Sequence, residues 1–134
     1  MLAAVKVRIS VAIALFVFVG LSSLTAEAAS PRLLAKGTFG PTERYTGKGT
    51  ATVVQLGKSR ELRLSSDFVA MNAIKLRLYL ATTPSAKVRL DLGPMKARGA
   101  QRFRLPARAD LKRYRYVIAW CVAANAPITQ ARLR

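Results

Sequence analysis

The chain of 134 residues contains one thiol, Cys121, and it closes the apolar run Tyr116-Val117-Ile118-Ala119-Trp120-Cys121, next to the only tryptophan. A thiolate attacks disulfides and oxidises to a sulfenate, so an accessible cysteine of this kind cycles through a sulfenate or a mixed disulfide with a partner. The same residue packed in an apolar strand is a small, inert hydrophobe. Both readings are open to the sequence. With no second cysteine there is no C-x-x-C, so an internal disulfide and dithiol oxidoreductase chemistry are excluded. Histidine is absent, which removes a Ser-His-Asp triad, a Cys-His pair and any His-ligated zinc or haem. No general-base constellation is present, so a hydrolytic enzyme is not expected. Asp91 and Asp110 stand alone among many cations and read as turn carboxylates; no metal site is expected, and the residues specify no cofactor.

A second kind of chemistry comes from charge. Lys and Arg number 23 against 6 Asp and Glu, a formal charge of +17. Residues two apart on a strand share a face, and Arg63, Lys75, Arg77, Lys87, Arg89, Arg102 and Arg104 take the outward parity of the strands expected below. If those strands are neighbours, their cations tile one surface for salt-sensitive anion binding; the plainer alternative is a solvated outer face that resists aggregation. Little aromatic residue is interleaved, so a single-strand nucleic-acid platform is not supported and no nucleic-acid partner is expected.

The first 28 residues read as an address. Lys6 and Arg8 form a positive start, an apolar run follows from Ile9 to Leu24, and Ala26-Glu27-Ala28 is an A-x-A cleavage signal. Residues 1–28 are therefore expected to be a signal peptide, the alternative being an uncleaved N-terminal anchor. Its removal, with Lys6, Arg8 and Glu27, leaves 106 residues with a formal charge of +16 from the chain's +17. An exported domain with that charge, periplasmic or extracellular, is expected to meet an anionic envelope polymer or lipid, besides any redox partner protein, as a monomer or weak dimer.

The elements that must position these residues are strands. After a flexible lead over residues 29–35, within which Leu33 already opens a candidate strand to Phe39, come Thr50–Leu56, Glu61–Leu64, Ile74–Leu80, Lys87–Leu92, Gln101–Leu105, Tyr116–Cys121 and Ile128–Leu133. Leu76, Leu78 and Leu80 alternate with Lys75, Arg77 and Tyr79, Val88, Leu90 and Leu92 with Lys87, Arg89 and Asp91, and Phe103 and Leu105 with Arg102 and Arg104. Tyr116–Cys121 has no polar parity and reads as a central strand buried on both faces. Gly57-Lys58 supplies a hairpin turn. About eight short strands with regular turn signals predict an all-β fold: a single antiparallel β-sandwich spanning residues 36–134.

Several of these segments, taken together, resemble a known family. Gly49–Gly57 (GTATVVQLG), Asp67–Leu80 (DFVAMNAIKLRLYL) and Val88–Cys121, with Asp91-Leu92-Gly93-Pro94 before Lys96 and the Trp120-Cys121 pair, are similar to the DM-thirteen domain, the Skeletor-type module often found beside DOMON domains. The resemblance runs from about Lys36 to Leu133. It implies a β-rich extracellular or periplasmic domain, for which a redox or electron-transfer role centred on the strand cysteine has been proposed. Cys121 is then the redox thiol, and Trp120, Tyr116 and Asn72 are the residues expected to shape its pocket. The chain departs from the family pattern in lacking Gly-Pro-Asp around Met71–Leu76, in Ala100 where an acidic residue is usual, and in Val122–Ala126, where an aromatic segment is common.

Overall fold

A computed structural model describes residue 20, residues 30–71 and residues 74–134. Apart from Gly20, the expected signal peptide lies outside the described residues, as does Asn72. The rest is strand and turn. In chain order the strands are β1 (Arg32–Gly40), β2 (Gly47–Lys48), β3 (Thr50–Leu56), β4 (Ser59–Leu64), β5 (Val69–Ala70), β6 (Leu76–Ala81), β7 (Arg89–Pro94), β8 (Gln101–Leu105), β9 (Tyr116–Cys121) and β10 (Ala126–Arg132). No helix among the described residues is long and apolar enough to cross a membrane.

Eight strands form one antiparallel sheet in the order β7-β6-β9-β10-β1-β3-β4-β8, and β2 and β5 form a small separate ribbon. The sheet folds on itself at β1. Residues Arg32–Thr38 of β1 pair with β3, whereas Phe39 and Gly40 pair with β10. One long strand thus belongs to both layers, and the edge strands β7 and β8 come back into contact. The result is an all-β sandwich that is nearly a closed barrel.

Side-chain alternation explains the layers. On β1, Ala35, Gly37 and Phe39 are buried while Lys36 and Thr38 are exposed. Leu62 and Leu64 of β4, Leu76, Leu78 and Leu80 of β6, Phe103 and Leu105 of β8 and Val117, Ala119 and Cys121 of β9 fill the interior. Phe39 and Phe68 meet edge-on with ring centroids 4.9 Å apart. Each large side chain so buried contributes about 1.5–3 kcal/mol. The β3–β4 hairpin turns at Gly57, whose φ of +58° is the left-handed region that glycine enters freely.

Three expectations change. The lead was expected to extend through residue 35, but β1 starts at Arg32, and Ala35 belongs to the core. Val88, expected inward, is 45% exposed, because β7 begins only at Arg89 and Val88 sits in the preceding loop, its carbonyl accepting from Thr82 N–H at 3.1 Å. Tyr79, expected outward among cations, is buried: with Ala81, Ala86, Ile118 and Trp120 it forms a second small core on the outer face. The loop between β6 and β7 supplies Ala86 to that cluster, so β6 and β9 are covered on both sides. The expectation that Tyr116–Cys121 is a central, doubly buried strand holds, with β6 and β10 as its neighbours.

Candidate functional site

Cys121 ends β9, opposite Leu76 of β6 and Ala126 of β10. Its side chain points into the main core and is 4% exposed. The thiol is nonetheless in a polar setting made by backbone. Its S–H donates to the Ile74 carbonyl at 3.4 Å, and Ala124 N–H donates to the sulfur at 3.5 Å. Two segments thus close over it: the approach to β6 and the turn Val122–Asn125. They are joined by Val122 N–H donating to Lys75 C=O at 3.1 Å. Both are tightly wound, with Lys75 at φ 60° and Asn125 at φ 48°. Val122 (45% exposed) and Ile74 (74%) present large apolar side chains to solvent on these two segments.

Trp120 and Tyr116 are not beside the thiol. Alternation along β9 sends them to the opposite face, into the outer cluster. There the Tyr79 and Trp120 rings lie 5.8 Å apart, and the Arg89 guanidinium stacks 4.4 Å from the Tyr79 centroid and 5.4 Å from that of Trp120. A cation held over both rings disfavours a ring radical cation, so this pair is better suited to packing than to relaying charge. The aromatic residues act as the anchors of a core.

The seven basic candidates fall on the outer surface in two groups. Arg63 lies opposite Arg102, and Arg104 opposite Glu61, on β4 and β8. Arg77 and Arg89 lie on β6 and β7, with Lys75 and Lys87 just before those strands. Because β7 and β8 meet, the order around the molecule is β6, β7, β8, β4, and the two groups share one curved surface. They are not equally available. Arg63 Nε bonds Glu61 at 2.7 Å with Arg102 at 3.7 Å from the same oxygen, Arg77 Nε bonds Asp91 at 2.8 Å, and Arg89 is stacked. Lys75, Lys87 and Arg104 have no carboxylate partner among the described residues.

A family model described as Electron transfer DM13 matches residues 38–133. The chain belongs to the DM13 family. This is the DM-thirteen family that its segments resemble, and the match takes in Cys121 and all seven basic positions. None of the curated proteins and none of the solved structures compared with it matches.

Within this DM13 domain, sequence reading missed two things. The backbone groups that hold the Cys121 sulfur carry no side-chain signature, so no residue type announces them. Lys58 in the β3–β4 turn, Arg60 on β4 ahead of the expected start at Glu61, and Arg108 in the loop after β8 were not among the expected basic residues; their signal was the spacing Lys58-Ser59-Arg60 and the density of arginine around Pro106. Asp110 acts as a turn carboxylate, accepting from Lys112 N–H at 2.9 Å, whereas Asp91 lies within β7, where it accepts from Gly93 N–H at 2.9 Å and pairs with Arg77. No group of three possible metal-ligating Cys, Asp or Glu side chains occurs among the described residues.

Proposed function

We propose that this DM13 domain passes electrons through Cys121 by thiol–disulfide exchange with partner proteins, on the exported side of a membrane. The observation that carries this reading is the surface above the thiol. Two of the large exposed hydrophobic residues, Ile74 and Val122, lie on the two segments that close over Cys121. An apolar rim around a covered thiol suits a protein surface that docks before exchange. The Ala124 amide, already directed at the sulfur, is placed to support negative charge there.

The Cys121 thiolate attacks a partner disulfide, giving a mixed disulfide and one partner thiolate. A thiolate of a donor dithiol then attacks the Cys121 sulfur and releases the second partner thiolate. The donor's other thiolate closes the donor disulfide and expels the Cys121 thiolate. Two electrons pass from donor dithiol to partner disulfide, and solvent supplies the protons.

The test is labelling of the folded chain with an aromatic disulfide reagent across a denaturant series. Local opening of the Val122–Asn125 turn is expected to give a labelling rate that is flat at low denaturant. A rate that follows global unfolding at every denaturant concentration overturns the reading and leaves Cys121 as a core residue. Cys121→Ala is expected to abolish mixed-disulfide formation while the circular dichroism of the fold is retained. Export rests on the leader signals of residues 1–28, and its check is N-terminal sequencing of the protein recovered from outside the cytoplasm, expected to begin at Ala29.

A second reading is favoured by one specific observation: β6, β7, β8 and β4 carry their cations on one curved surface. This face would attach the domain to an anionic envelope polymer or lipid through salt-sensitive contacts. It is indifferent to Cys121→Ala, and charge reversal at Arg77, Arg89 and Arg104 is expected to weaken it.

A further inference from the structure

Where the edges β7 and β8 meet, they leave a groove of about 430 Å³ lined by Lys58, Arg60, Asp91, Arg104, Pro106 and Arg108, among others. Its one carboxylate, Asp91, is already engaged by Arg77 at 2.8 Å and by Gly93 N–H at 2.9 Å. Arg60 is fixed at the groove's inner side: its Nη1 donates to Ala109 O at 2.7 Å, and its Nη2 to Pro106 O at 3.0 Å and Ala107 O at 3.3 Å. Those acceptors are neutral, so the guanidinium keeps its charge, holds a single position and has N–H donors left over. Lys58, Arg104 and Arg108 are exposed and have no carboxylate partner among the described residues.

The groove also continues. A second depression of about 470 Å³ shares Lys58, Arg60 and Ala107 with it and runs on past Asp110, whose carboxylate already accepts from Lys112 N–H at 2.9 Å, to Lys112. Arg60 and the loop it clamps therefore stand at the middle of an elongated basic track. We propose that this track is the binding site for a linear polyanion bearing closely spaced phosphate-like groups, with Arg60 as a preorganised central contact and Arg104, Arg108, Lys58 and Lys112 along the strand's path. The length of the track favours a polymer over a single small anion. None of the large exposed hydrophobic residues, Leu33, Met71, Ile74, Val88 and Val122, lines either depression, where of the large apolar residues only the half-buried Leu92 and Leu111 add surface, which favours a soluble polyanion over a bilayer. The proposal rests on the anion-binding reading above and locates it at the seam rather than over the whole outer surface.

The test measures binding of the full chain to fluorescently labelled inorganic polyphosphate, with orthophosphate and anionic phospholipid vesicles as parallel probes. The native chain is expected to bind polyphosphate with an affinity that falls as salt rises. Arg104→Glu with Arg108→Glu is expected to weaken binding by about tenfold or more. Lys36→Glu with Arg132→Glu, the same charge change at exposed positions away from the track, is expected to cost less than about threefold. Circular dichroism checks that both variants are folded. If the native chain binds none of the probes at low salt, the site and the broader anion-binding reading both fall. If both double variants lose affinity equally, the site falls while the broader reading stands. Binding to vesicles tighter than to polyphosphate, or saturation by orthophosphate at the same concentration, overturns the linear polyanion as ligand.

Discussion

Thr129 is the one fully buried polar side chain of the described core, and its hydroxyl donates to Gly40 C=O at 2.7 Å, tying β10 to the end of β1. Thr129→Val keeps the shape and removes the bond; chemical denaturation is expected to show a loss of about 1 kcal/mol. Arg89 offers a contrasting case. It was expected to be one of several interchangeable cations, yet it stacks on both Tyr79 and Trp120. Arg89→Gln is expected to lower stability by about 0.5–1 kcal/mol and to shift the emission of the single tryptophan, whereas Lys87→Gln is expected to do neither. Cys121 was legible as the one thiol of the chain and as the end of a buried strand. Its separation from Trp120 was legible in principle too, since neighbours on a strand face opposite ways, but only once the run was taken literally as a strand. What residue types do not reveal is that a carbonyl and an amide from two other segments converge on its sulfur.

Glycine marks where the elements are joined under constraint. Gly49 lies between β2 and β3 at φ +114°, and a Cβ there would come within 2.7 Å of the Phe68 Cα, a backbone atom that has no easy way to yield. Gly57 has φ +58° with open space around it. Gly49→Ala is expected to cost about 2 kcal/mol or more, from strain and displacement of Phe68 together, and Gly57→Ala only about 1 kcal/mol, from backbone strain alone; thermal melts of the two variants should rank them so. The eight longer strands were readable from turn residues together with alternation, as in Gln101–Leu105, or with a run dense in β-branched and aromatic residues, as in Thr50–Leu56 and Tyr116–Cys121, all three to the residue. The two-residue strands β2 and β5 were not, since a ribbon that short is defined by its partner across space and leaves no periodicity. That the loop between β6 and β7 covers Trp120 was not readable for a related reason: its one core residue, Ala86, is too small to stand out in a polar segment.

At the scale of the whole molecule, the formal net charge is +17, and the three ion pairs among the described residues, two of them sharing Glu61, all lie on β4, β6, β7 and β8. Mutual repulsion on that surface works against the compact state. Raising salt from about 10 mM to about 200 mM is therefore expected to raise the melting temperature by a few degrees, where a molecule held by its ion pairs would be destabilised. The fold class and the basic face were legible from composition and parity, but the closeness of β7 to β8, which gathers the cations around one seam, depends on the sheet folding at β1. That same shared strand governs how synthesis must proceed. Lys36 and Arg134 exchange both backbone hydrogen bonds, at 3.0 and 2.9 Å, and β10 sits between β9 and β1. As the chain leaves the ribosome, β1, β3 and β4 can zip together early. The gap between β1 and β9 stays open until residues 126–134 are in place, so every other strand of the sheet precedes the one that closes it and the core is completed in one late step.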